Sequence, residues 1–323
     1  MIRVGLVGAG AHMQENLLPA LRAIPQVEVC SVMSRDAAKA TAFARRWSIP
    51  YVSHTIDDLV GLSHLAMVVA AATPDVHLAT LDAALANGLN AYIEKPPAPS
   101  GQELASVLAS HSTSSGVATA GFNFRFADVS IGTLGALSAV GRARYARVAV
   151  RSRKPLGPIW DFASAEKSFM YAVGIHAVDF ALSIFPASTI ASASAVRTSG
   201  GRFACSLQFV DDTGGVCDVL ISNAANRFEF EVDITAERGR VTAHDLTTIQ
   251  LQRFEPSASA LGEKAVENST LSGLNSGYLR NGYQRLLESA LTSSGEIDSP
   301  APIEESVRVL DALDAVCARL GFA

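Results

Sequence analysis

The sequence predicts an α/β protein with two domains, a doubly wound parallel sheet followed by an α/β domain with an open, mainly antiparallel sheet. Short apolar runs alternate with alanine-rich helical patterns from residue 1 to residue 121, and β-rich segments joined by tight turns dominate the second half. A chain of 323 residues can bury two separate cores. We place the domains at residues 1–122 and 123–323.

The N-terminal domain is predicted from apolar runs that alternate with helical patterns, as in successive βαβ units. Its strands are expected at Ile2–Val7, Val27–Met33, Leu65–Ala71, Asn90–Ile93 and Val117–Ala120. Its helices are expected at Asn16–Ile24, Asp36–Trp47, Val76–Asn87 and Gly101–Ser110. Ser100 and Glu103 form a capping box that begins the last of these helices.

The C-terminal domain is predicted from a change of rhythm after Gly121, because consecutive strands with tight turns indicate an antiparallel sheet. Its strands are expected at Arg142–Arg151, Ile190–Thr198, Phe203–Val210, Val216–Ser222, Phe228–Ala236 and Arg240–His244. Its helices are expected at Asp128–Leu137, Phe169–Phe185, Ser276–Leu291 and Ile303–Leu320. The Ser- and Gly-rich segment Pro256–Asn275 is interpreted as a loop.

Composition and charge exclude several classes of protein. With 49% hydrophobic and 18% charged residues, the chain is neither disordered nor fibrous. The 26 Lys and Arg residues do not exceed the 31 Asp and Glu residues, so charge gives no case for nucleic acid or an anionic membrane as a partner. A small-molecule substrate is favoured. No stretch predicts a signal peptide or a membrane span, and we expect a cytoplasmic protein.

The four cysteines are scattered through apolar segments without CxxC spacing. Cys30, Cys205, Cys217 and Cys317 are therefore expected to be buried free thiols, and no metal site is predicted. Cys205 and Cys217 lie on neighbouring predicted strands, which leaves a disulfide between them as the alternative.

A glycine pair lies at the first strand-to-helix turn. Gly8 and Gly10 stand where a dinucleotide pyrophosphate binds the amides of a helix N-terminus. Met13 replaces the third glycine of the GxGxxG pattern, and Ala11 and His12 are expected to line the loop. The position predicts a dinucleotide-binding Rossmann domain, and the alternative is a plain tight turn.

Ser34 and Arg35 end the second predicted strand, where an NAD-binding domain normally carries an acid for the ribose 2′-hydroxyl. A carboxylate would repel a 2′-phosphate, whereas a hydroxyl and a guanidinium donate hydrogen bonds to it. The pair predicts a preference for NADP(H), with NAD(H) as the second cofactor. The alternative is a solvated arginine in a loop.

Lys95 lies two residues after the end of the predicted strand Asn90–Ile93, with Glu94 between them. This position is at the edge of a parallel sheet where ligands bind. Its ammonium group could polarise a substrate oxygen. For this tripeptide alone, Glu94-Lys95-Pro96, a surface lysine is the simpler interpretation.

The ordered set of motifs resembles the Gfo/Idh/MocA oxidoreductases, which include glucose-fructose oxidoreductase and inositol dehydrogenase. The shared elements are the GxG turn, Thr73-Pro74-x-x-His77, Glu94-Lys95-Pro96, Gly121-Phe122-Asn123-x-Arg125-Phe126 and Gly174-x-His176-x-x-Asp179. The resemblance runs essentially end to end. It implies a Rossmann domain that binds NAD(H) or NADP(H), and a second domain that forms the substrate cleft and the oligomer interface.

The resemblance also implies roles for single residues. Lys95 would be catalytic and His176 would contact the reacting hydroxyl, with Asp179 able to assist. Beside the glycine loop and Ser34-Arg35, the cofactor would contact Thr73, Pro74, His77, Glu94, Lys95 and Pro96. The candidate substrate-binding residues are Lys95, Asn123, Arg125, Trp160, Tyr171 and His176. For Trp160 and Tyr171, a place in the core is the alternative.

The segment before His176 departs from the family pattern G-G-x-L-x-D-x-G-x-H. Lys167 and Ser168 stand at the paired glycines, and Ala172 stands at the aspartate. Because residues i−4 and i share a helix face, the usual carboxylate beside His176 is expected to be absent. Asp179, three residues on, could partly substitute, although in the family this position is commonly a buried structural acid.

The leading hypothesis is an NADP-preferring dehydrogenase or reductase acting on a sugar, polyol or related carbonyl compound. Lys95 would polarise the substrate oxygen and His176 would shuttle its proton. A homodimer or homotetramer through the C-terminal sheet is implied by the resemblance. The alternative is a nucleotide-binding sensor or regulatory protein on the same fold, which Ala172 favours and the intact Lys95 and His176 oppose.

Overall fold

The computed structural model describes residues 1–198, 200–256, 263–272, 281–292 and 301–322. The chain folds into two compact units. The first comprises Met1–Asn123 and Ser276–Asp311, and the second comprises Phe124–Asn275 and Ala312–Ala323. These units differ from the predicted domains mainly in Ser276–Asp311, which belongs to the first unit although the sequence assigns it to the second domain.

The first unit contains a six-stranded sheet in the order β3-β2-β1-β4-β5-β6, with every neighbouring pair parallel. The strands are β1 (Ile2–Val7), β2 (Val27–Met33), β3 (Tyr51–Ser53), β4 (Met67–Ala70), β5 (Asn90–Glu94) and β6 (Ala118–Gly121). This is the strand order of a Rossmann domain, whose ligands bind at the carboxyl ends of the strands, between β1 and β4. The predicted parallel sheet is confirmed.

The helices of the first unit flank this sheet. They span Leu18–Arg22, Ala37–Trp47, Ile56–Val60, Pro74–Ala86, Gly101–Ser110 and Tyr283–Thr292. The prediction missed β3 and helix Ile56–Val60, because a strand of three residues is too short to show periodicity. Thr55 and Asp58 form the capping box that begins this helix.

The first helix begins earlier than predicted. It starts at Ala11, directly after the glycine pair, rather than at Asn16. Its turn Met13–Leu17 is π-helical before the chain continues as the α-helix Leu18–Arg22. Single π turns inside helices frequently occur at functional sites. The early start places His12 on the helix itself.

The second unit contains an eight-stranded sheet in the order β14-β13-β12-β11-β7-β10-β9-β8. The strands are β7 (Ala143–Arg151), β8 (Thr189–Thr198), β9 (Arg202–Val210), β10 (Val216–Ser222), β11 (Glu229–Ala236), β12 (Gly239–His244), β13 (Thr248–Pro256) and β14 (Glu263–Ser272). All neighbours are antiparallel except β7 and β10. The predicted mainly antiparallel sheet is confirmed.

The helices of the second half are Asp128–Val140, Ala165–Phe169, Ile175–Ile184 and Glu305–Leu320, with a π turn at Met170–Gly174 and a 3₁₀ turn at Asn123–Phe126. The loop predicted at Pro256–Asn275 is wrong over β14, which pairs with β13. Residues 276–280 of the predicted helix Ser276–Leu291 lie outside the described residues. Within the described ranges, no helix has the length and apolar character needed to cross a membrane.

All four cysteines are buried free thiols, as predicted. The strand register explains why Cys205 and Cys217 do not pair. Cys205 lies opposite Ile221, whereas Cys217 lies opposite Phe209. Burial raises the pKa of both thiols to about 12, so they are protonated and unreactive at neutral pH.

Candidate functional site

Gly8 and Gly10, the two glycines of the first turn, lie in different surroundings. Gly8 has φ +101°, and a Cβ there would lie 2.1 Å from the carbonyl oxygen of Ala71. Only glycine fits this position. A Cβ at Gly10 would meet nothing within 4 Å. The loop therefore leaves open space at the start of the helix, where the residues fit the pyrophosphate of a dinucleotide.

A cavity beside this loop brings together three of the predicted cofactor segments. It is lined by Val7, Gly8, Ala9, Gly10, Met33, Ser34, Arg35, Lys39, Ala71, Ala72, Thr73 and Val76. The structure thus places the glycine loop, Ser34-Arg35 and Thr73 around one space at the carboxyl edge of the sheet. That these residues hold a cofactor stays a prediction.

Lys39 is a cavity residue that the sequence analysis missed. It lies four residues after Arg35, on a helix whose N-cap Asp36 accepts a hydrogen bond from the Lys39 amide at 3.0 Å. Arg35 Nη1 lies 3.9 Å from Asp75 Oδ2, and both side chains are exposed. This end of the cavity therefore carries a hydroxyl and two cations, and the Asp75 carboxylate lies beside Arg35.

His77 is fully buried and connects two loops of the site. Its Nε2 accepts a hydrogen bond from the Ala72 amide at 2.7 Å, and its Nδ1 donates to the Pro96 carbonyl at 2.8 Å. These partners require the neutral imidazole. Burial lowers the pKa of His77 to about 4. His77 thus positions the loops that carry Thr73 and Lys95.

Glu94 is the buried acid of the site. Its carboxylate accepts hydrogen bonds from the Tyr92 hydroxyl at 2.7 Å and the Lys95 amide at 3.1 Å, and it lies 3.2 Å from Nε2 of His12. Burial alone raises the pKa of Glu94, but His12, Lys95 and Tyr92 outweigh this effect and lower the pKa to about 2. Glu94 is therefore a carboxylate at all working pH values.

Lys95 follows Glu94 at the carboxyl end of β5. Burial lowers the pKa of Lys95, and the negative charge of Glu94 opposes that change. Gly121 at the end of β6 makes room for this segment, because a Cβ there would lie 2.7 Å from the Glu94 Cα and 3.0 Å from the Lys95 nitrogen. This close approach explains why the motif begins with a glycine at position 121.

Asn123 is fully buried at the end of the first unit. Its side-chain nitrogen donates to the Asn281 carbonyl at 2.7 Å. This contact holds the segment after β6 against the segment before the helix Tyr283–Thr292. For Asn123, the structure therefore provides a structural partner, and a substrate contact stays a prediction.

In the second unit, His176 lies near the start of helix Ile175–Ile184 and is 5% exposed. Phe124 stacks on its imidazole ring with a centroid distance of 4.0 Å and an interplanar angle of 16°. Phe124, which the sequence analysis did not single out, thereby fixes the plane of the ring. Ala172 lies in the π turn Met170–Gly174, which ends two residues before His176, so the i−4 relation assumed for an α-helix is only approximate.

Asp179 has a strong partner other than His176. Its two carboxylate oxygens accept hydrogen bonds from Nε of Arg125 at 3.1 Å, and Nη2 of Arg125 lies 2.5 Å from Oδ1. Asp179 is 2% exposed and Arg125 is 14% exposed. This bidentate pair favours a structural role for both residues over the predicted catalytic and substrate-binding roles.

The two aromatic candidates for the substrate site lie in different surroundings. Tyr171 is fully buried, and its hydroxyl donates to Asp314, so the structure places it in the core rather than at a binding surface. Trp160 is partly exposed, and both Trp160 and Asp161 have positive φ angles of +56° and +61°. Ser168 holds this turn by accepting a hydrogen bond from the Ile159 amide at 3.0 Å. Trp160 remains a candidate.

Known proteins provide a second line of evidence. The model of an oxidoreductase family with an NAD-binding Rossmann fold, Gfo/Idh/MocA, matches residues 2–122. A protein from Amycolatopsis mediterranei named "putative UDP-kanosamine synthase oxidoreductase subunit" is 29% identical over 187 residues, which are 55% of this chain and 50% of that protein. The match thus spans about half the length of this relative.

Solved structures match over nearly the whole chain. A dehydrogenase from Chromobacterium violaceum has a TM-score of 0.88 and 24% identity, covering 99% of this chain and 95% of that chain. Levoglucosan dehydrogenase, solved with NADH and L-sorbose, has a TM-score of 0.83 and 16% identity, covering 98% and 97%. At these identities the likeness shows the fold. Residues 2–122 thus match the Gfo/Idh/MocA oxidoreductase family, and the Rossmann strand order and the glycine turn agree with that match.

Proposed function

We propose that the chain is an NAD(P)-dependent dehydrogenase or reductase that transfers a hydride to or from a sugar, polyol or related carbonyl compound. The observation that carries this proposal is the assembly of the open glycine turn, the buried carboxylate of Glu94 and Lys95 at the carboxyl edge of one parallel sheet. The sugar class is supported by the levoglucosan dehydrogenase structures, which share the fold.

The proposed chemistry assigns one task to each residue. A bound nicotinamide dinucleotide supplies the hydride acceptor or donor. Lys95, whose ammonium feels the negative charge of Glu94, donates a hydrogen bond from Nζ to the reacting oxygen and polarises it. When a hydroxyl is oxidised, its proton passes to the imidazole of His176, while the carbon loses a hydride and becomes a carbonyl. Phe124 keeps the imidazole plane oriented for this transfer.

The proposed preference for NADP(H) rests on the cavity end formed by Ser34, Arg35 and Lys39. A hydroxyl and two cations can satisfy the charge and the oxygens of a 2′-phosphate. Asp75 opposes this preference because its carboxylate faces Arg35. The cation pair should dominate, since each charge-assisted contact to phosphate contributes roughly 1.5 to 3 kcal/mol.

Fluorescence titration with NADPH and NADH tests this preference. NADPH should bind more tightly, and Arg35→Ala should reduce NADPH affinity by about tenfold or more while changing NADH affinity little. Arg45→Ala, an exposed arginine that does not line the cavity, is the matched control. Equal or tighter NADH binding by the wild type would refute the preference.

The activity is tested with a panel of sugars, polyols and sugar nucleotides, by following the absorbance of the reduced nicotinamide. The wild type should turn over at least one compound, and Lys95→Ala should lower kcat by on the order of a hundredfold or more with cofactor affinity retained. Tight cofactor binding without turnover across the panel would instead support the sensor or regulatory protein.

We also propose that the protein acts in the cytoplasm as a homodimer or homotetramer assembled through the eight-stranded sheet. The sheet carries charged side chains of both signs on β7, β11 and β12, including Arg147, Asp233 and Arg240. Such a surface can pair with a second copy of itself. Light scattering coupled to size-exclusion chromatography should give twice or four times the monomer mass of 33.9 kDa.

A further inference from the structure

The imidazole of His12 joins the glycine turn to the segment that carries Lys95. His12 lies two residues after Gly10, and its Nε2 lies 3.2 Å from Oε1 of Glu94. The His12 side chain is 39% exposed, whereas Glu94 is 3% exposed. The Nε2 atom itself is buried. A buried ring nitrogen needs a polar partner, and the Glu94 carboxylate faces it.

Two further side chains fix the orientation of this ring. Asn16, one turn along the helix, places its side-chain nitrogen 3.3 Å from Nδ1 of His12. The ring of Tyr283 packs edge-on against the imidazole, with a centroid distance of 5.4 Å and an interplanar angle of 71°. If Asn16 donates to Nδ1, the neutral imidazole carries its proton on Nε2, pointing at Glu94.

Other groups also confine the Glu94 side chain. The Tyr92 hydroxyl and the Lys95 amide donate to its oxygens, and a Cβ at Gly121 would lie 3.0 Å from its Cδ. Nε2 of His12, 3.2 Å from Oε1, approaches this carboxylate from the glycine turn. The charge of Glu94 acts directly on Lys95, so any movement of the carboxylate changes the electrostatic environment of the ammonium.

We propose that His12 is a positioning residue for Lys95: by donating from Nε2 to the Glu94 carboxylate, it holds the counter-charge of the lysine in place from the glycine turn. This inference rests on the proposed function, in which Lys95 acts on the substrate. It assigns to His12 a role in turnover, in addition to the loop-lining role expected from the sequence.

The first test separates positioning from cofactor contact. His12→Phe keeps a ring beside Tyr283 but removes the donor, whereas His12→Gln keeps a donor. His12→Phe should lower kcat by roughly tenfold or more with cofactor affinity within about twofold of the wild type, and His12→Gln should restore most of kcat. Weaker cofactor binding with unchanged kcat would overturn the proposal, because His12 would then contact only the cofactor.

The second test needs no substrate. The rate at which an amine-reactive reagent modifies Lys95 is measured by mass spectrometry of the peptide that contains it. Loss of the Glu94 charge makes the lysine less protonated and faster to react. Glu94→Gln and His12→Phe should both increase this rate, by about threefold or more, and His12→Gln should not. His111→Gln removes the surface histidine that pairs with Asp82 at 2.7 Å, and it is the matched control.

The outcomes distinguish the two proposals. If the wild type turns over no compound but His12→Phe still speeds modification of Lys95, the positioning role holds and the proposed activity fails. If His12→Phe reacts at the wild-type rate, the positioning role is refuted whatever the activity. Should Glu94→Gln fail to fold, the comparison of His12→Phe with His12→Gln decides the question alone.

Discussion

Protonation of His77 should destabilise the fold at mildly acidic pH. In the native state, Nε2 must accept from the Ala72 amide and Nδ1 must donate to the Pro96 carbonyl, so a second proton would set two N–H groups against each other. Burial lowers the pKa of His77 from the ordinary 6.5 to about 4. Between pH 6.5 and about pH 4, the unfolded chain therefore binds a proton at this histidine that the native state does not bind. The contribution of the neutral His77 to the stability of the native state is complete above pH 6.5 and is lost as the pH falls towards 4.

The difference between 6.5 and about 4 corresponds to roughly 3 kcal/mol, or about 1.4 kcal/mol per pH unit across this window. His77→Gln provides the comparison, because its amide can accept and donate but does not titrate. Urea unfolding measured at several pH values from about 7 to about 4 should show the wild type losing up to roughly 3 kcal/mol more than His77→Gln. His111→Gln is the control for a histidine that is not fully buried. Parallel pH dependences for the wild type and His77→Gln would refute this assignment.

Three further changes have definite expected outcomes. Gly10→Ala should leave the unfolding midpoint unchanged, because the new Cβ meets only open space in the protein. It should weaken cofactor binding by about tenfold or more, because the Cβ would occupy the space proposed for the pyrophosphate. Unchanged affinity would contradict the proposal that the cofactor binds at the glycine turn. Gly121→Ala should cost roughly 1 to 3 kcal/mol of stability through its clash with the Glu94 backbone, whereas the control Gly135→Ala, in an open helix position, should be neutral or stabilising. Asp179→Asn should cost about 3 to 5 kcal/mol because it removes the carboxylate charge that pairs with the largely buried Arg125, and a variant as stable as the wild type would contradict the structural pair.

The sequence could predict those parts of the fold that depend on local patterns. The strands from Ile2 to Val7 and from Val216 to Ser222 have the predicted bounds, because their apolar runs end in turn residues. Segments without a strong period were missed. The short strand Tyr51–Ser53 is one example, and Glu263–Ser272, a polar segment interpreted as a loop, is another. Pairing with a neighbouring strand, rather than local hydrophobicity, defines such strands.

The candidate site likewise contains residues that local patterns predict and contacts that they do not. The glycine turn, Ser34-Arg35 and Lys95 could be found because their chemistry is written in consecutive residues. The contact between His12 and Glu94 joins residues far apart in the chain, and no local pattern indicates it. The contact between the buried Tyr171 and Asp314, in the last helix, likewise joins residues far apart in the chain. Tertiary packing therefore decides which of several plausible polar residues face one another.

The most direct measurement of the proposed activity is the transfer of deuterium from a substrate to the cofactor. The protein is incubated with oxidised NADP and, in turn, with perdeuterated glucose, inositol and levoglucosan, and the mass of the cofactor is then determined. The proposed function predicts that the wild type forms reduced cofactor carrying one deuterium with at least one of these compounds, and that Lys95→Ala forms about a hundredfold less. Tight binding of NADP with no deuterium transfer from any of them would contradict hydride transfer by this chain and favour a protein that senses the nucleotide.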